Sequence, residues 1–174
     1  GILSSLQLIP DQFSQAWEEM EKCKLPQASS SCQNVVICGM GGSALGGRVV
    51  DSLVYDKARV PIEVFTEYTM PTYVNSASFV IVFSYSGNTE ETLSAAKEAL
   101  SKGAKIFGIT TGGKLAEFLK KNKLASYVFN TKYNPSGQPR MGLGYAIASI
   151  FSLLSKCAFI RYGNEKEDIN FTLK

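Results

Sequence analysis

FVIVFSYSGNTEETLSAAKEALSKGAKIFGI, running from Phe79 to Ile109, is the stretch that decides the fold. It opens on an apolar run, Phe79–Phe83, and passes through small polar residues. Helical periodicity follows from Thr89 to Lys102, then Gly103, then a second apolar run, Lys105–Ile109. Glycine just past a helix supplies the left-handed residue that ends it. Two continuously apolar strands joined by a helix run parallel, because a tight hairpin would make them antiparallel. Their lack of polar alternation means that both faces of the sheet are covered.

The same alternation extends outward. Asn34–Cys38 (NVVIC) and Ile62–Phe65 read as strands, with a helix from about Ser43 to Tyr55 between them. After the central unit come a short helix around Lys114–Lys121, a short strand Tyr127–Phe129, and a long apolar helix, about Gly142 to Phe159. In front lies an amphipathic helix, Asp11–Cys23, whose residues Phe13, Ala16, Trp17 and Met20 follow the i, i+3, i+4, i+7 spacing. Leu25–Gln33 reads as a polar linker. The predicted class is α/β: a doubly wound, five-stranded parallel sheet flanked by helices. The expected domain covers residues 1–160, with its sheet core at 34–159. Residues 161–174 read as a linker or the start of a further segment.

Composition narrows the function. With 174 residues the chain suits one well-buried domain. A net charge of +3, with basic residues scattered apart from Lys114–Lys123, argues against nucleic-acid binding. No apolar run approaches the length of a membrane span, and no secretory signal opens the chain. It starts on Gly1 rather than Met, which suggests a tag residue or a trimmed chain. Cys23, Cys32, Cys38 and Cys157 lack CxxC spacing and read as reduced thiols of a cytoplasmic protein. The histidine count is zero, which removes Ser-His and Cys-His nucleophiles and argues against zinc.

Ligands of open parallel sheets sit beyond the carboxyl ends of the strands. Three loops there are unusual: CGMGGSALGG (Cys38–Gly47), FSYSGNTEET (Phe83–Thr92) and ITTGGK (Ile109–Lys114). A fourth segment, NPSGQPR (Asn134–Arg140), precedes the last helix. In the first loop Gly39, Gly41 and Ala44 fit a relaxed dinucleotide pattern, with Glu63 or Glu67 as the following acid. Close packing of a helix on its strand explains the same glycines, and so does a sugar phosphate or similar anion. The second loop favours the anion. Ser84, Ser86 and Thr89 surround a helix N-terminus, where unpaired N–H groups and the dipole attract phosphate. Asn88 with Glu91 forms a capping-box pattern that accounts for those two residues but not for the hydroxyls. Glu90 and Glu91 are expected to point away from the pocket. Arg140, unfavourable at a helix start, fits a functional role better than a structural one.

GMGGSALGG, FSYSGNTEET and PSGQPRMGLGYA, in that order behind an AWEE-type helix, resemble a sugar isomerase (SIS) domain. More narrowly, residues 8–160 resemble the N-terminal half of the bifunctional phosphoglucose/phosphomannose isomerases. That resemblance implies a flavodoxin-like three-layer sandwich and a cytoplasmic enzyme of carbohydrate metabolism. Self-association as a homo-oligomer such as a homodimer is expected because the absent half of such a protein would leave an apolar face uncovered. It implies Ser43, Ser84, Ser86 and Thr89 as phosphate ligands, Gly41 and Gly42 along the sugar, and Arg140 beside the reacting carbons. The implied reaction interconverts glucose 6-phosphate or mannose 6-phosphate with fructose 6-phosphate through a cis-enediolate, with no metal or cofactor. In that family the glutamate base and the ring-opening histidine lie in a second SIS domain. This chain has no histidine, so the expectation is binding without turnover by these residues alone. The rival expectations are a phosphosugar-sensing SIS module of a regulator and a dinucleotide-binding domain.

Overall fold

The computed structural model describes residues 1–27 and 29–161. The tail expected as a linker therefore lies outside the described residues, apart from Arg161. Along the chain come α1 (Ile2–Gln7), α2 (Ile9–Glu21), a 3-10 turn (Ser29–Ser31), β1 (Asn34–Cys38), α3 (Gly42–Val54) and β2 (Ile62–Phe65). Then follow β3 (Ser78–Ser84), α4 (Glu90–Ser101), β4 (Lys105–Thr110), α5 (Gly113–Lys121) and β5 (Ala125–Val128). A second 3-10 turn (Pro139–Gly142) leads into α6 (Leu143–Lys156).

The five strands form one sheet in the order β2-β1-β3-β4-β5, every pairing parallel. This is the predicted doubly wound architecture. The central strand β3 is buried along its whole length, which is why its sequence shows no polar alternation. Its odd-numbered residues Phe79, Ile81 and Phe83 join Val35, Ile37, Phe107 and Ile109 in a core beneath α2, α3 and α6. Val80 and Val82 face the other way, with Val36, Cys38 and Ile106, against Ala95, Ala96 and Ala99 of α4 and Leu115 and Leu119 of α5. The three layers follow from that alternation. Each fully buried large side chain contributes roughly 1.5–3 kcal/mol of burial free energy, so the sheet is held from both faces.

Glycines set the closest approaches. A Cβ on Gly46 would overlap the Ala146 side chain, and one on Gly47 would lie 2.9 Å from Ile37 Cγ2. Those two residues let α3 seat against α6 and β1. Gly103, at φ 73°, ends α4 as expected.

The differences from expectation are local. The leading helix starts at Ile9, with Pro10 and Asp11 in its first turn, and ends at Glu21. A separate short helix, α1, precedes it unforeseen, because six residues carry too little periodicity to be read. The last strand is Ala125–Val128 rather than Tyr127–Phe129, since an edge strand of four residues leaves little pattern. Within the expected linker, Ser29–Ser31 form a 3-10 turn. The last helix is shorter than expected: Gly142 belongs to the Pro139–Gly142 turn, and the helix ends at Lys156 rather than near Phe159. Among the described residues, no helix is long and apolar enough to cross a membrane. All four cysteines are free thiols.

Candidate functional site

A pocket of about 280 Å³ opens at the carboxyl ends of β1 and β3, lined by Met40, Gly41, Gly42, Ser43, Tyr85, Ser86, Thr89, Pro139 and Arg140. Between β1 and β3 the strand order reverses, so α3 and α4 leave the sheet on opposite faces and their N-termini converge on one crevice. The first N–H groups of each helix have no intrahelical acceptor, and the two dipoles add positive potential at the same place. Three loops distant in sequence thus meet, and six of the seven sequence-predicted site residues line the pocket.

The hydroxyls are held by backbone amides. Tyr85 donates its N–H to Ser43 Oγ at 3.2 Å, which ties the glycine-rich loop to the end of β3. Ser86 Oγ accepts from the Asn88 N–H at 3.3 Å. A serine whose oxygen already accepts retains a proton to donate. Ser84, the seventh residue, is buried beneath the pocket rather than on its wall. Its Oγ accepts from the Gly87 N–H at 3.1 Å and lies 2.9 Å from Thr89 Oγ1. Ser84 reaches the pocket through Thr89.

The glycines of the first loop divide between their possible roles. Gly46 and Gly47 serve helix packing, whereas Gly41 and Gly42 line the pocket. Gly41 stands at φ 56° immediately before α3. A Cβ on Gly42 would lie 3.1 Å from Arg140 Cα, so the bare backbone here lets the Pro139–Gly142 turn close over the loop. The dinucleotide reading gains no support: the Glu63 carboxylate accepts the Tyr73 hydroxyl, and neither Glu63 nor Glu67 lines the pocket.

The capping-box expectation is corrected. The residue before α4 is Thr89, and no side-chain cap hydrogen bond is made there. Asn88 instead turns to the next helix, its Oδ1 accepting from the Lys114 N–H of α5 at 3.2 Å. Gly87, at φ 72°, makes this possible by packing directly on the Gly112 carbonyl. Glu90 and Glu91 stay off the pocket wall. Glu91 lies by Tyr68, and its charge holds that phenol above the ordinary range.

Pocket residues that the motifs did not single out are Tyr85, Met40 and Pro139. Tyr85 Oη accepts from Asn134 Nδ2 at 2.7 Å, joining the β3 loop to the segment that carries Arg140. Burial pushes the Tyr85 phenol up, against the lowering effect of that hydrogen bond. A tyrosine between two loop serines was the available signal. Among the described residues, no group of three or more His, Cys, Asp or Glu side chains is arranged to hold a metal ion.

Comparison with known proteins bears on this geometry. The SIS domain family matches over residues 30–154. A bifunctional phosphoglucose/phosphomannose isomerase of Caldicellulosiruptor bescii is 42% identical over 160 residues, which are 91% of this chain and 46% of that protein. The enzyme of the same name from Thermoplasma acidophilum is 42% identical over 120 residues, covering 68% of this chain and 35% of that one. The chain thus spans less than half the length of these relatives. A candidate phosphosugar isomerase of Clostridium difficile 630 superposes with a TM-score of 0.68 at 18% identity, over 99% of this chain and 51% of that one. At that identity the likeness concerns the fold alone.

Proposed function

The chain belongs to the SIS domain family, and from that premise we propose that it is the phosphate-holding half of a glucose-6-phosphate/mannose-6-phosphate isomerase. The observation that carries the proposal is the convergence of Ser43, Ser86, Thr89 and Arg140 on one pocket between two helix N-termini. Hydroxyl protons and helix N–H groups together offer a phosphate several donors without a fixed cation. The relatives named phosphoglucose/phosphomannose isomerase support the same substrate class.

In this reading the phosphate rests on Ser43, Ser86 and Thr89, with Ser84 orienting Thr89 from below. The sugar lies along Gly41 and Gly42, and Arg140 reaches the reacting carbons. Isomerisation removes a proton from C2 of the aldose and returns one to C1, leaving negative charge on the enediolate oxygens in between. A guanidinium placed there stabilises that charge by about 3 kcal/mol. The described carboxylates lie off the pocket wall, and the chain contains no histidine. The base and the ring-opening group therefore come from outside these residues. The chain binds sugar phosphate in the cytoplasm, self-associates, and does not turn the substrate over alone.

Titration with fructose 6-phosphate tests the reading. Saturable binding at millimolar concentration or tighter is expected, weakened by Ser86→Ala. A wild-type chain with intact circular dichroism and no saturable response overturns it.

A further inference from the structure

Gln12 is fully buried on α2. Its amide contacts four backbone groups in three other parts of the chain. The two N–H groups of Nε2 donate to Met141 O at 2.8 Å and Tyr133 O at 3.0 Å, with Ser5 O at 3.3 Å sharing one of them. Oε1 accepts from the Gly144 N–H at 3.2 Å. The amide thus grips the backbone immediately after Arg140, the first turn of α6, and the loop leading to both.

The opposite side of the same turn is also contacted. Gly42 packs on the backbone of Pro139 and Arg140 so closely that a Cβ there would meet three of their atoms at 3.1–3.2 Å. Gly144 is close-packed as well: a Cβ would lie 2.8 Å from Gln12 Cβ. The arginine turn is therefore held between the pocket loop and the Gln12 amide. Every hydrogen bond to that amide is buried or partly so, and a buried carbonyl left without a partner is destabilising. An apolar core residue at this position would satisfy none of them.

We propose that Gln12 is the positioning residue for Arg140. It lies outside residues 30–154, where the family match falls. The N-terminal helix pair, through this one amide, sets the height of the Pro139–Gly142 turn over the pocket. Gln12 touches no ligand. Its effect is confined to whatever Arg140 does for the sugar, and the phosphate sockets on α3 and α4 do not depend on it. The inference rests on the proposed sugar-phosphate reading for its ligand arm, and on backbone geometry alone for its other arm.

The experiment has two readouts on the full chain. Amide exchange followed by NMR is ligand-free. In Gln12→Met, the Met141 and Gly144 amides should exchange about tenfold faster, as expected for a locally weakened turn, while those of β3 and β4 stay unchanged. Unchanged exchange at Met141 and Gly144 overturns the proposal. Binding supplies the second readout, with fructose 6-phosphate and inorganic phosphate as probes. Gln12→Met should weaken fructose 6-phosphate about fivefold, the loss expected when one charged contact is misplaced, and leave inorganic phosphate unaffected. In an Arg140→Ala background it should cost nothing more. Equal losses for both probes, or an undiminished loss in that background, overturn the positioning role. Should wild type bind neither probe, the functional reading fails and the exchange result still decides the geometric claim. Gln12→Asn, whose amide is one methylene too short to reach the same carbonyls, replaces Gln12→Met if the latter does not fold.

Discussion

Ser84 Oγ and Thr89 Oγ1 lie 2.9 Å apart, one buried beneath the pocket and the other on its wall. With Ser84 accepting from Gly87, its proton is available to Thr89, and the Thr89 proton to a ligand. Ser84→Ala should therefore weaken phosphate binding by about threefold, less than the roughly fivefold of Thr89→Ala, which loses one net hydrogen bond of about 1 kcal/mol directly. The double variant should bind no worse than Thr89→Ala alone. Calorimetric titration with inorganic phosphate checks this; additive losses would mean that Ser84 touches the ligand itself.

Asn88 serves the helix after its own. Asn88→Ala removes the acceptor for the Lys114 N–H and should destabilise the fold by about 1 kcal/mol, the usual worth of a cap. Urea unfolding measures it. Glu91→Ala, the other half of the discarded capping box, should change stability by less than about 0.5 kcal/mol, as surface substitutions do.

Gly87 tolerates no side chain. Its φ of 72° disfavours other residues, and a Cβ would overlap the Gly112 carbonyl oxygen. Gly87→Ala should cost roughly 2–4 kcal/mol and displace Ser86, so both urea midpoint and phosphate affinity fall. A variant with native stability would show that the loop has room to move.

Alkaline pH should weaken the fold. Burial pushes the Cys38 thiol up to about 12 and the Cys157 thiol up to about 11, from an ordinary value of 9.0. The folded state holds these protons more tightly than the unfolded state. Their stabilising effect is present in full below pH 9, and is lost as pH rises through the window up to those folded values. Two such thiols imply a loss of roughly 3 kcal/mol between pH 8 and pH 10. Urea unfolding at those two pH values reads it, and Cys38→Ala with Cys157→Ala should flatten the slope.

Ile2, Leu3 and Leu6 of α1 are exposed, as are Leu45, Leu53 and Tyr55 on and just after α3. Large apolar side chains left exposed at these two helices offer surface for association. Light scattering should report a mass above that of one chain at high concentration, reduced by Leu3→Glu with Leu6→Glu. A clean monomer would remove self-association from the proposed function.

Much of the molecule is legible along the chain, because helix and strand patterns are local. The apolar runs Asn34–Cys38 and Phe79–Phe83 announce buried parallel strands, since no half-solvated strand lacks polar alternation. The hydroxyl cluster at Ser84, Ser86 and Thr89 announces a donor-rich loop for the same local reason. Three facts needed the tertiary structure. Ser84 lies under the pocket, Asn88 caps α5, and Gln12 grips the turn of Arg140 from more than a hundred residues away. Gln12 sits on the buried line with Ala16 and Met20, so sequence marks it only as a polar residue among apolar ones. What such an amide does depends on which carbonyls the sheet's crossovers bring to it. Composition and period determine which elements form, but the partners of a polar side chain are decided by the packing of elements that are remote in sequence.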